Sequence, residues 1–325
     1  MTYEHAVESS DAIYTELSPK EYWKELRLAN EHHLAGLRNS LSELPLPLEG
    51  TAVIVVGSDA KFEKHPQSRP ELVILSNTNA QPNILQTTYD VMHGKGKYLE
   101  SFDTNKGDIE VKAVDYEVLS YAYGNPRAVY PDRILNAVVV AGDTNIYQHA
   151  REKVLKEMSG TGPTSKRIRE YIKKQQQFYG RATNTGTVSN RPIFTLNPAQ
   201  QFYDIRPEIY TLGFQISYLR TVQRYIDRLT ESSIRKGKLE LVETSKNMHT
   251  PTVDRIEYLH KMGIIPEQYS LQESYLWFLQ QYNYAQEIYM RSGETAVVAF
   301  GEDNYAKYSQ IIKKFTHSGL LNLQL

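Results

Sequence analysis

The chain has 325 residues, 40% of them hydrophobic and 23% charged, a balance that excludes a collagen-like or wholly disordered polymer and, from length, suggests about two domains. Lysine and arginine (37) nearly offset aspartate and glutamate (38), leaving a formal charge of −1, so no general basic surface for nucleic acid or an anionic membrane is indicated. With no cysteine, disulfide scaffolds, thiolate zinc sites and cysteine nucleophiles are excluded, which suits a reducing compartment.

No apolar run approaches the roughly 18 residues of a membrane span. Residues 1–17 contain four acidic side chains and no apolar stretch, so they are expected to form a loose lead-in and not a secretory signal; a cytoplasmic location follows. Regular structure is expected to begin at Ser18-Pro19-Lys20-Glu21. A hydroxyl N-cap, a proline at the first helical position and a glutamate three residues after the cap compose a capping box. Trp23, Leu26, Ala29, Leu34, Leu37 and Leu41 then follow at helical spacing, interrupted by Asn30, until Leu44-Pro45-Leu46-Pro47 stops the helix.

Thr51–Val56 is a β-branched run too continuous for a half-exposed strand, so a buried strand is expected, ending at Gly57-Ser58. After a polar stretch, a second run begins with an acid, Glu71-Leu-Val-Ile-Leu75. A helix near residues 84–92 and a mobile turn at Gly94-Lys-Gly96 come next, then a third strand over Asp108–Val114 with Glu110 inside it. Arg133–Val140 is apolar again, and Gly142-Asp143 closes it before a helix carrying Ile146, Tyr147, Ala150, Val154 and Leu155. Beyond residue 150, strand-like runs nearly vanish. Helices are expected at 166–178 (strongly basic), 209–229, 252–262, 271–291 and 303–315, with a flexible Gly/Thr/Asn-rich loop over 180–192. The expected organisation is α+β, a short mixed sheet with flanking helices over 18–150, followed by an all-helical domain over 151–325.

The stretch from Val53 to Leu75 carries the chemistry. A Gly-Ser bend lets a phosphate approach the backbone, since glycine has no side chain and the amides and hydroxyl donate. Carboxylates at adjacent strand ends suit Mg²⁺, a hard ion that joins protein oxygens to substrate phosphates. Each piece also has a plain structural reading: a tight turn at Gly57-Ser58, a solvated edge acid at Glu71, a cross-strand ion pair at Glu110, and a mixed-charge solvated loop at Asp59, Lys61, Glu63 and Lys64. His32-His33 are adjacent on a helix and lack the spacing of a zinc site. The basic helix and the tyrosine-rich C-terminal helices read chiefly as solvated and packing faces.

In order along the chain, Gly57-Ser58, Glu71 and Glu110 resemble the nucleotidyltransferase superfamily of the DNA-polymerase-β type. That pattern runs strand, Gly-Ser, spacer, acid–hydrophobic–acid strand, and a third acid on a later strand. Arg133-Ile-Leu-Asn136…Gly142-Asp143 is similar to a segment of the uridylyltransferase of the PII signalling protein and related putative nucleotidyltransferases. Tyr203-Asp-Ile-Arg-Pro…Arg220-Thr-Val-Gln223 is a weaker echo of their helical domain. The resemblance spans residues 20–230 and implies transfer of AMP or UMP from ATP or UTP, with Mg²⁺ or Mn²⁺, to a protein or small-molecule hydroxyl. It implies Glu71 and Glu110 as metal ligands and catalytic acids, Asp59 as a further catalytic carboxylate, and Gly57, Ser58, Lys61 and Ser68 on the nucleotide. A protein acceptor or partner is implied, while nucleic acid and membrane are not. The chain departs from the pattern at Arg69, where the family has an acid; an arginine cannot ligate magnesium and repels it. Three explanations stand: a catalytically silent relative acting as a regulatory protein, a carboxylate supplied instead by Asp59 or Glu63, or an introduced substitution. Asn136, where the family often has an acid, leans towards lost activity.

Overall fold

A computed structural model describes residues 17–43, 50–63, 70–76, 110–115, 131–170, 172, 187–188, 191–192, 196–197, 202–205, 214–248, 251–265, 271–292 and 296–299. The chain divides into two compact units, one made of Leu26–Arg169 with Ser233–Arg255, the other of Met1–Glu25, Glu170–Ser232 and Ile256–Leu325. The secondary structure is α+β.

Helix α1 (Pro19–Ser42) starts at the expected capping box. The Ser18 hydroxyl accepts the Glu21 amide at 3.3 Å, and the Glu21 carboxylate accepts both the Ser18 amide at 3.0 Å and the Ser18 hydroxyl at 2.6 Å. The reciprocal bonds satisfy amides that the first helical turn would otherwise leave open. Along α1, Trp23, Leu26, Leu34, Leu37 and Leu41 are buried as expected. Ala29, placed on the stripe by spacing, is exposed, and Asn30 is buried instead. Residues 23, 26, 30, 34, 37 and 41 are the three-and-four series that one helix face presents. Asn30 is tolerated there because its amide donates back to the Leu26 carbonyl at 2.8 Å.

In the first unit the sheet comprises β1 (Thr51–Val56), β2 (Glu71–Ser76), β3 (Glu110–Asp115) and β4 (Val138–Gly142), in the order β3-β2-β1-β4. Strand β1 runs antiparallel to β2 and β4, and β2 runs parallel to β3, so the sheet is mixed. Every residue of β1 is buried, which is why its sequence is an unbroken apolar run and not an alternating one. One face is covered by α1: Leu34, Leu37 and Leu41 pack with Val53, Val55, Leu72, Ile74 and Val140. A short helical turn α2 (Gly57–Ala60) follows β1, and another, α3 (Pro131–Leu135), precedes β4. Helix α4 (Thr144–Ser159) buries the five residues expected of it and also Arg151 and Met158; residue 150, where the sequence turns helical in character, lies inside it. A helical stretch at 163–170 follows.

The expectation that strands vanish after residue 150 is corrected. Short strands β5 (Thr187–Val188) and β6 (Arg191–Pro192) pair antiparallel within the segment expected as a flexible loop. Strands β7 (Leu196–Asn197), β8 (Phe202–Ile205) and β9 (Ala296–Ala299) form a three-stranded antiparallel sheet. The later part of the chain is therefore not all helical. Its helices are α5 (Phe214–Arg235), α6 (Leu241–Asn247), α7 (Thr252–Lys261) and α8 (Leu271–Ser292). Helix α5 buries Leu219, Val222, Ile226 and Leu229 as expected. The helices expected at 84–92 and 303–315, the turn at Gly94, and the basic helix beyond residue 172 lie outside the described residues.

Candidate functional site

Strand pairing brings the expected acids into one row. Glu71 is the register partner of Val56, the last residue of β1, and of Glu110, the first of β3. The order across this end of the sheet is thus Glu110, Glu71, Val56, with Gly57-Ser58 following Val56 directly. The row arises because β2 and β3 run parallel, so two strands that each begin with an acid begin at the same edge. The donor chemistry of two glutamates on neighbouring strands fits a hard divalent cation held by one or two carboxylates and substrate phosphates. Among the described residues no three histidine, aspartate or glutamate side chains gather as a metal cluster.

At the bend, Gly57 has φ 75°, a left-handed conformation that glycine adopts without steric cost and that turns the chain sharply out of β1. The turn closes with the Phe62 amide donating to the Asp59 carbonyl at 3.2 Å and the Glu63 amide to the Ser58 carbonyl at 2.9 Å. Phe62 itself has φ 57°, uncommon for a residue with a side chain, and its ring lies 5.9 Å beneath the Arg27 guanidinium of α1. Arg27 is held in turn by Glu31 and Asp254, each at 3.1 Å. The bend is thereby anchored from outside.

The other expected residues of the bend face inward. Asp59 is buried, and its Oδ1 lies 3.1 Å from Nε2 of the half-exposed His33. Lys61 and Glu63 are both buried and pair at 3.5 Å. Neither the Asp59 carboxylate nor the Lys61 ammonium stands open to solvent as a substrate group ordinarily would. Gly57 and Ser58 are half-buried beside them. Ser68 and Arg69 lie outside the described residues.

The Gly142-Asp143 pair has a structural role. Gly142 has φ +84°, and a Cβ there would sit 2.4 Å from the Thr51 carbonyl oxygen. The Asp143 amide donates to that same oxygen at 2.9 Å, and the Asp143 side chain accepts the Asn145 amide at 2.9 Å as the N-cap of α4. Asn136, where an acid was of interest, is buried and accepts a hydrogen bond from Arg255, a fully buried guanidinium.

Sequence reasoning missed two cations, Arg151 and Arg255. Arg151 donates to the Met248 carbonyl. Burial lowers its pKa, and the nearby Arg255 charge lowers it further, against an opposing contribution from Tyr147. A signal existed: Arg151 belongs to the buried face 147, 150, 151, 154, 158 of α4, so it is a charge inside an apolar stripe.

Among the described residues no helix is long and apolar enough to cross a membrane. Searched against protein-family models and against curated proteins, the chain matches none.

Proposed function

We propose that the first unit is a nucleotidyltransferase domain that transfers a nucleoside monophosphate, AMP or UMP, from ATP or UTP to a hydroxyl of a protein or small molecule in the cytoplasm. One observation carries the reading: Glu71 and Glu110 are register partners at the sheet edge where β1 ends in Gly57-Ser58. Glu71 and Glu110 would hold Mg²⁺ or Mn²⁺, and the Gly57-Ser58 backbone would approach the nucleotide phosphates. Bound magnesium supplies charge neutralisation on the triphosphate. The chain's own contribution is positioning. The anchored bend fixes where phosphate can sit, so the acceptor oxygen attacks the α-phosphorus in line while pyrophosphate departs with the electrons of the broken P–O bond. The test is incubation with labelled ATP or UTP, Mg²⁺ and candidate protein acceptors. Transfer should occur and fall by about a hundredfold or more in Glu71→Gln and in Glu110→Gln, on the scale of losing a charge-stabilising group. Absence of transfer, or indifference to both substitutions, refutes it.

A second reading has its own support. Asp59 and Lys61, two of the groups a working site would use, are buried and tied to His33 and Glu63, and the sequence has Arg69 where an acid is expected. On this reading the domain is catalytically silent and acts as a regulatory or partner-binding protein. Arg69→Asp separates the two: a gain of magnesium-dependent transfer shows a lapsed enzyme, whereas no gain in a folded variant favours the regulator.

A further inference from the structure

Three buried donor-bearing residues of the first unit, Arg151, Thr252 and Arg255, stand apart from the Glu71–Glu110 row. Arg255 is fully buried and donates to Asn136. Arg151, 6% exposed, donates through one Nη to the Met248 carbonyl, while its Nε–H has no hydrogen-bond partner among the described residues. Thr252, fully buried at the first position of the ten-residue helix α7, likewise has a hydroxyl with no partner among the described residues. Arg255 follows Thr252 by three residues and so shares its helix face. Met248, which receives Arg151, lies four residues before Thr252. The Arg255 charge bears directly on Arg151, depressing its pKa beyond what burial does.

We infer that Arg151, Arg255 and Thr252 at the α7 N-terminus form an internal binding site for a small oxyanion such as inorganic phosphate. The donor chemistry points one way. Two guanidiniums, a hydroxyl and the positive end of a helix dipole all favour an anion. Burying the Arg151 charge costs several kcal/mol unless opposite charge compensates, and among the described residues no carboxylate is in contact with Arg151. An open Nε–H and an open hydroxyl, both buried, are the groups such an anion would engage. The near-complete burial of all three residues selects a compact ion enclosed by protein over the phosphate tail of a nucleotide.

The test is folding stability of the full chain against inorganic phosphate at constant ionic strength, with chloride as the balancing salt and ATP in a parallel series. A ligand that binds only the folded state raises the folding constant in proportion to its concentration once it exceeds the dissociation constant. The wild type should therefore gain about tenfold in folding constant per tenfold phosphate in that regime. Arg151→Met should flatten the dependence. Thr252→Val, nearly isosteric, should weaken phosphate binding while leaving the fold intact, and it carries the test if Arg151→Met does not fold. Stabilisation by phosphate no greater than by chloride overturns the inference. So does a response undiminished in both variants, or one to ATP without one to phosphate. Loss of nucleotide transfer in the Glu71 and Glu110 variants has no bearing on these outcomes.

Discussion

Replacing Gly142 with alanine tests the junction that holds β4 against β1. The position carries two separable demands. At φ +84° a residue with a Cβ is strained, at about 1–2 kcal/mol. The added Cβ would also lie 2.4 Å from the Thr51 carbonyl oxygen and 3.1 Å from the Ala52 Cα, both backbone atoms of the central strand. Relief requires β1 or β4 to shift, and overpacking of this kind costs roughly 1–3 kcal/mol. Gly142→Ala should therefore destabilise the first unit by about 2–5 kcal/mol. Asparagine tolerates left-handed backbone better than alanine but brings the same Cβ, so Gly142→Asn should rescue little. Hydrogen exchange of the β1 amides as a function of urea reads opening of this unit directly. A Gly142→Ala protein within about 0.5 kcal/mol of the wild type, the range of an ordinary surface change, would refute the close approach. Rescue by asparagine would show that backbone conformation alone matters there. The neighbouring residue sharpens the point. Asp143→Ala should cost about 1 kcal/mol as a lost N-cap, and Asp143→Asn almost nothing, since asparagine caps equally well.

Leu34→Ala removes a side chain buried between α1 and the sheet and should cost about 2–5 kcal/mol by the same exchange measurement. Leu28→Ala on the exposed side of α1 should stay within about 0.5 kcal/mol. Hydrogen bonds from the Ser18 hydroxyl and then the Ser18 amide hold the Glu21 pKa below its ordinary value. A depressed carboxylate stabilises the folded state above its unfolded pKa, and the contribution is lost as pH falls through the folded pKa. Acidification below the usual glutamate range should therefore fray the start of α1 in the wild type, and Ser18→Ala, which removes the hydroxyl bond but keeps the amide bond, should reduce that pH dependence; chemical shifts of residues 19–22 against pH report it.

The elements that local pattern specifies were legible in the sequence. The capping box set the start of α1 to the residue, and the unbroken β1 run correctly marked a strand buried on both faces. The acids at the starts of β2 and β3 were visible, but their register was not: pairing Glu71 with Glu110 depends on parallel alignment across 39 residues of chain, which no local period encodes. All four residues of strand β8 likewise pair with β9, more than ninety residues away, and strands of two residues such as β5 and β6 are too short to show an alternation. Polar residues within apolar stripes were the signal left unused. Asn30 on α1, Arg151 on α4 and Arg255 on α7 all occupy buried helical positions, and in each case the side chain meets a carbonyl or amide oxygen inside the protein. Spacing would have identified each as an interior polar group whose partner had to be found.

Motif residues divide between framework and chemistry, and the division decides what the fold can do. Gly142 and Asp143 are accounted for by a close strand crossing and a helix cap. Asp59 and Lys61 are accounted for by pairs with His33 and Glu63, and breaking a buried ion pair such as Lys61–Glu63 costs several kcal/mol. Recruiting them to a substrate thus opposes the stability of the bend that would have to receive the phosphate. Two glutamates are left, register partners at the sheet edge, and they are the residues whose positions a metal and a triphosphate would need. Enzyme and silent relative therefore share every framework feature and differ only in what occurs at that edge. Substitutions there are informative about function, whereas substitutions in the bend report chiefly on folding.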